Sequence, residues 1–113
     1  MSAVYVNNLT INTGTDFEQV YTLANSSGNG SLDLNGYTGE AKLAKHAGAA
    51  EANKVSFAVS FVVPSDGVLS IGLTDEQTSA LSEGRYVYDV VIDDGSKKTR
   101  VVEGMAFVRK GVV

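Results

Sequence analysis

Residues 73–93, LTDEQTSALSEGRYVYDVVID, combine a helical signal with the most regular strand signal in the chain. The first half predicts one short helical turn over residues 74–82. Thr74 and Gln77 have the spacing of a capping box, and Gly84 stands where helices commonly end. The second half alternates apolar and polar residues, which is typical of a half-buried strand. A helical turn that leads directly into a strand indicates a crossover between two sheets.

The same period-two alternation recurs along the chain and predicts about seven short strands. Turn-forming residues separate the strands, and DDGS at 93–96 predicts a β-hairpin between the last two. In VSFAVSFVV (55–63), the face that carries Phe57 and Phe61 is predicted to pack against the Tyr86 and Tyr88 face. The alternating segments lie at 4–11, 16–23, 36–44, 55–63, 68–73, 85–92 and 99–108.

The two terminal strands are less regular than the others. The apolar positions change parity at residues 7–8, which predicts a bulge there. A second bulge is predicted beside Gly104, where it would turn Glu103 outward from a core face formed by Val101, Met105 and Phe107.

Seven half-buried strands in 113 residues predict a single all-β domain, an antiparallel immunoglobulin-like (Ig-like) β-sandwich spanning residues 1–113. In such sandwiches a tyrosine at the start of the penultimate strand bonds to backbone a few residues upstream, and Tyr86 is the candidate for this corner position. The chain has neither cysteine nor tryptophan. The disulfide and core tryptophan of antibody domains are therefore missing.

Composition excludes several function classes. The net charge is −4 and the cations are not clustered, so a nucleic-acid partner is not predicted. The absence of cysteine excludes disulfides, thiolate metal sites and cysteine nucleophiles. We also predict no signal peptide and no membrane partner, because the N-terminus lacks a basic region and no stretch has the roughly 20 apolar residues of a span.

Individual motifs do not predict catalysis. His46 is the only histidine, in the segment KHAGAAE, and an exposed histidine without a function is the favoured interpretation. Asp93 and Asp94, with Asp89 nearby, have the composition of a Ca²⁺ site or a hydrolytic pair, but DDGS is also favoured turn chemistry and is the preferred interpretation. The glycines of residues 28–36 lack the Lys-Ser/Thr of a phosphate-binding loop. We predict no catalytic, cofactor or metal site.

Both chain ends carry apolar residues where polar ends are usual. This predicts interface arms at residues 1–8 and 109–113, which would add to the edge of a neighbouring sheet. The simpler alternative is that the last residues fray. The candidate interface residues are Val4, Tyr5, Val6, Val112 and Val113.

Four segments together resemble the small β-sandwich domains of tailed-bacteriophage virions. They are DFEQVYTL (16–23), LDLNGYTGEAKLAK (32–45), GVLSIGLTDEQTSALSEGRYVYDVVIDDG (67–95) and RVVEGMAFV (100–108). Their shared features are an L-T-x-x-Q-T-x-x-L crossover, G-R-Y-V-Y-D-V and a final V-x-x-G-x-x-x-V. The resemblance covers roughly residues 15–109, and its motifs are mainly structural.

The resemblance implies a non-enzymatic virion protein, assembled in the host cytoplasm, of the tail, baseplate or fibre-attachment region. Its partners would be other virion proteins and further copies of itself. Two alternatives stay open: a capsid decoration protein, and a module that binds host glycans. For the second, Tyr5 is the aromatic residue that core packing does not account for.

Overall fold

The computed structural model describes residues 5–23, 30 and 32–112. These residues form eight strands, one short α-helix and two 3₁₀ turns, which are the segments Glu51–Asn53 and Pro64–Asp66. The strands and the helix are β1 (Tyr5–Val6), β2 (Leu9–Asn12), β3 (Phe17–Thr22), β4 (Thr38–Ala44), β5 (Val55–Val63), β6 (Val68–Leu73), α1 (Asp75–Ser79), β7 (Gly84–Asp93) and β8 (Lys98–Arg109).

All eight strands belong to one continuous, strongly curved sheet. Its order is β1-β8-β7-β4-β5-β6-β3, with β2 also paired to β8. Residues 55–57 of β5 pair with β4, whereas residues 58–63 pair with β6. The sheet therefore bends at β5 and closes over a single core, and the prediction of an all-β fold is confirmed.

The sheet is mixed, which corrects the prediction of a purely antiparallel arrangement. β1 and β2 both run parallel to β8, while the other neighbouring pairs are antiparallel. Parallel pairing needs no local turn, so no short-range sequence signal predicts it.

The core forms between the two halves of the bent sheet. The hydroxyls of Tyr21 on β3 and Tyr88 on β7 lie 2.8 Å apart, although these strands are far apart in the sheet order. The rings of Phe57 and Tyr88 are 6.2 Å apart in an edge-on arrangement. The predicted contact between the Phe57 face and the tyrosine face is therefore present, but Phe61 is only half-buried.

β8 contains a bulge, but at a different residue from the predicted one. Consecutive residues of β7 pair with Val102 and with Arg100, which leaves Val101 as the extra residue. Both valines are buried. The side-chain alternation therefore reverses at Val101, three residues before Gly104.

This reversal determines which β8 side chains reach the core. Glu103 faces outward, as the sequence predicts. Met105 and Phe107 face outward with it, and Phe107 is 40% exposed, so the prediction that they form the core face is wrong. The residues that fill the core from this half of β8 are Val102, Ala106 and Val108.

Residues 7–8 interrupt the first strand without a bulge. Val6 pairs with Glu103 and Leu9 pairs with Ala106, so two residues separate the paired segments on both strands. The register on β8 is unchanged, and the prediction of an extra residue here is wrong. Val6 faces outward and Leu9 faces inward because successive residues of an extended chain point to opposite faces, and these two residues are three positions apart.

The crossover between β6 and β7 has the predicted local structure. Thr74 caps α1: its side chain accepts a bond from the Gln77 N–H, and the Gln77 side chain accepts one from the Thr74 N–H. The helix covers only Asp75–Ser79, within the predicted residues 74–82. Buried Thr78 donates its hydroxyl to the Thr15 carbonyl and accepts from the Gly14 N–H, which ties α1 to the turn between β2 and β3.

Candidate interaction surfaces

Tyr86 occupies the corner position predicted from the sequence. Its ring is buried, and its hydroxyl donates to the carbonyl of Ser82, four residues upstream, at 3.0 Å. The ammonium group of Lys45 lies 4.2 Å from the ring centroid, in the geometry of a cation–π contact. Tyr86 therefore fixes the end of the crossover against the loop after β4, and its role is structural.

Tyr88 fixes the start of the chain to the same sheet. Its hydroxyl donates to the carbonyl of Asn7 at 2.6 Å. The Asn7 N–H donates to the Glu103 carbonyl, and the Asn8 side chain accepts from the Met105 N–H. Residues 5–8 are thus hydrogen-bonded to this chain's own β7 and β8, and the interface arm over residues 1–8 stays a prediction.

The outer face of β4, β7 and β8 forms a shallow concave surface, which we call the concave face. It encloses about 670 Å³. Half-exposed Val87, Val91 and Met105 alternate with charged side chains along its strands. The charged residues on it include Glu40, Lys42, Asp89, Asp93, Lys98, Arg100 and Glu103.

The central charges of the concave face are paired. Arg100 lies 3.3 Å from Asp89 and 3.6 Å from Glu103, and Lys42 lies 3.3 Å from Glu40. These side chains are partly solvated, so each pair stabilises the fold by at most about 1 kcal/mol. The arrangement instead gives the concave face many hydrogen-bonding groups. Because charges of opposite sign are paired, the net charge of the face is small.

The Asp93–Asp94 hairpin has the hydrogen bonds of a turn. The Asp93 carboxylate accepts from the Gly95 N–H, and the Asp94 carboxylate accepts from the N–H groups of Ser96 and Lys97. The bonds from Ser96 and then Lys97 hold the pKa of Asp94 below its usual range, because they stabilise the charged form. These carboxylates therefore organise the turn, as the favoured interpretation predicts.

Chemistry-bearing residues do not cluster elsewhere in the described part of the chain. His46 is exposed in the loop between β4 and β5, at one end of the concave face. No group of three or more histidine or acidic side chains among residues 5–23, 30 and 32–112 is arranged to hold a metal ion. No helix in this part of the chain is long and apolar enough to cross a membrane.

The predicted terminal interface residues do not form one patch. Val6 is 66% exposed beside Glu103, whereas Val112 follows the end of β8 and is fully exposed. Glu103 and Arg109, the last residue of β8, are six residues apart, roughly 20 Å along an extended strand, and Val112 follows three residues after Arg109. Val4 and Val113 lie outside the described residues, as does the side chain of Tyr5.

Sequence reasoning missed both the concave face and the edge of β3. The outward residues of β7 alternate regularly and could have indicated a polar sheet face. The β8 residues opposite them could not have been placed, because the bulge at Val101 reverses which ones face outward. β3 lies at the end of the sheet, and its Val20 is 48% exposed there.

Comparison with known proteins assigns this chain to no family. No protein-family model and no curated protein matches the chain. Among solved structures, the crystal structure of InlP from Listeria monocytogenes is similar, with 13% sequence identity and a TM-score of 0.49. The similarity covers 96% of this chain but only 28% of the InlP chain. A similarity at this level assigns neither a family nor a function.

Proposed function

We propose that this chain is a non-enzymatic structural subunit of a tailed-phage particle, located in the tail, baseplate or fibre-attachment region of the virion. It would act by associating with other virion proteins and with further copies of itself. The proposal starts from the resemblance to phage virion domains over residues 15–109.

The proposal is supported mainly by the positions in the fold of the motifs shared with phage virion domains. Thr74 and Gln77 cap the crossover helix, Tyr86 forms the corner, and Gly104 of the final motif lies against Asn7. These motif residues maintain the framework, whereas Val87 and Asp89 of G-R-Y-V-Y-D-V face outward on the concave face. A domain whose characteristic residues are mainly structural suits a subunit that works through its surfaces.

We further propose that the framework is an Ig-like β-sandwich. One layer would be β1/β2, β8, β7, β4 and the start of β5, and the other would be the rest of β5 with β6 and β3. The support is the switch of β5 from β4 to β6, the packing of Tyr21 against Tyr88, and the Tyr86 corner.

Protein composition of purified particles tests the virion assignment. We expect peptides of this chain, in stoichiometric amounts, in particles of the phage that encodes it, after they are purified through a density gradient. Deletion of its gene should yield particles with incomplete or non-adsorbing tails. Complete, infectious particles that lack the protein would contradict the proposal. Particles with normal tails but fragile heads would instead favour the capsid decoration alternative.

Host-glycan binding is the second candidate, and the concave face favours it. Polar side chains there, such as Asp89 and Arg100, can bond sugar hydroxyls, while Val87 and Val91 contact the apolar face of a sugar ring. Binding on a glycan array that is lost in Arg100→Ala and kept in the control Lys97→Ala would support this candidate. Lys97 is exposed in the turn that precedes β8. Absence of binding by the parent protein would dismiss it.

A further inference from the structure

β3 presents an open edge of hydrogen-bonding groups. Within residues 5–23, 30 and 32–112, β3 pairs with β6 on one side and with no strand on the other. The Leu23 N–H donates to the Gly67 carbonyl, on the β6 side. Backbone groups alternate in direction along a strand, so those of Tyr21, Gln19 and Phe17 also face β6. Those of Glu18, Val20 and Thr22 therefore face the open edge.

This edge has little protection against strand pairing. Edge strands are commonly protected by charged side chains, especially lysine, by proline, by bulges or by very short length. β3 has only the single charge of Glu18: its sequence is FEQVYT, and all six residues pair with β6 without a register shift. The Gln19 side chain donates to the Val20 carbonyl at 3.3 Å, a bond that an incoming backbone N–H can replace. The opposite edge of the sheet is interrupted at residues 7–8.

We propose that the β3 edge binds the β3 edge of a second copy of this chain, antiparallel, about a two-fold axis at Val20. A two-fold axis perpendicular to the sheet leaves each side chain on its own face, and directly opposed residues share a face. The axis must therefore pass midway between a residue and the same residue of the second copy. With the axis at Val20, the backbone N–H and C=O groups of Val20 in one copy face those of Val20 in the other. Val20 pairs with Val20 of the second copy, Glu18 pairs with Thr22, and about six hydrogen bonds form.

Charge disfavours the neighbouring register centred on Gln19. With the axis at Val20, the two Glu18 side chains are four residues apart along the seam, about 14 Å. With the axis at Gln19, they are two residues apart, about 7 Å, and like charges at that distance repel. Glu18 is the only charged residue of β3, so no other repulsion acts across the seam.

The outer face beside the seam also suits a second copy. Small, uncharged residues continue across β6 and β5, where Gly72 lies opposite Ala58, and Ser70, which is 5% exposed, lies opposite Ser60. None of these four residues carries a charge or a long side chain that would obstruct a second copy. A seam of one strand per copy falls below roughly 1,000 Å², so the dimer is weak in isolation and is strengthened when many copies are held together.

The proposal rests on the proposed assembly function, but its test uses the isolated protein. The chain has no cysteine, so single cysteine variants report contacts directly. In the Val20→Cys dimer the Cα atoms would be about 5.5 Å apart, within the roughly 4.4–6.8 Å range of disulfides. Under mild oxidation we expect Val20→Cys to form covalent dimers about tenfold faster than Thr10→Cys, an exposed control on β2.

The register is tested with two further variants. Glu18→Cys alone and Thr22→Cys alone should crosslink at the control rate, whereas a mixture of the two should form heterodimers rapidly. Equal rates for all variants, or rapid crosslinking of Glu18→Cys with itself, would overturn the proposal. So would sedimentation of the parent protein as a monomer at millimolar concentration. Detection of the chain in particles is independent of these results, so either proposal can fail alone.

Discussion

Substitution of Gly104 by alanine should weaken the attachment of the first strands to β8. A Cβ atom at this position would overlap the carbonyl oxygen of Asn7 and lie 2.8 Å from the carbonyl carbon. Both are backbone atoms, so a side-chain rotation cannot relieve the contact. The segment at residues 7–8 must move away from β8.

That movement removes three identified hydrogen bonds. They are Asn7 N–H to the Glu103 carbonyl at 3.0 Å, Tyr88 hydroxyl to the Asn7 carbonyl at 2.6 Å, and Met105 N–H to the Asn8 side chain at 3.1 Å. Each hydrogen bond contributes about 0.5–1.5 kcal/mol to stability, so the free energy of unfolding should fall by about 2–4 kcal/mol. For a domain of this size, Tm should fall by roughly 10–25 °C.

Thermal and urea denaturation of Gly104→Ala measure this loss. The matched control is Gly48→Ala, because a Cβ atom there would be no closer than 4.0 Å to its nearest neighbour, the His46 side chain. The control should melt within a few degrees of the parent. If Gly104→Ala also melted like the parent, the close approach of Asn7 to β8 would be refuted.

Three further predictions concern the framework and the hairpin. Tyr86→Phe loses the bond to the Ser82 carbonyl and should lower the free energy of unfolding by about 1 kcal/mol, measured by urea denaturation. Phe57→Ala empties a buried core position and should cost about 3–5 kcal/mol, whereas Val63→Ala, at a more exposed position of the same strand, should cost far less. The pKa of Asp94, measured by NMR titration, should lie below 3.8 in the folded protein. Because the folded pKa is depressed, the hairpin is favoured above the unfolded pKa, and that contribution is lost as pH falls through the folded pKa.

The features that the sequence predicts well are those determined by neighbouring residues. The capping box of Thr74 and Gln77 joins residues three positions apart, and the Tyr86 bond to Ser82 joins residues four apart. Turn chemistry at Asp93 and Asp94 is equally local. In each case the residue type, its spacing and its hydrogen-bonding groups are sufficient to predict the arrangement.

The features that the sequence predicts poorly depend on distant partners. Gly104 indicates a special backbone position, but its reason is the approach of Asn7 from the other end of the chain rather than a bulge. The actual bulge at Val101 brings two consecutive valines into the core, a pattern that has no glycine to mark it. The parallel pairing of β1 and β2 with β8, and the open edge of β3, follow only from the complete sheet order.

Labelling of intact phage particles with an antibody against this chain decides whether the protein is a structural part of the virion tail. We expect discrete label at the tail, baseplate or fibre-attachment region in electron micrographs, with none on control particles from which the gene has been deleted. Label spread over the capsid surface would move the protein to the decoration class. Absence of label from particles under conditions that detect a known tail protein would contradict a structural role in the virion.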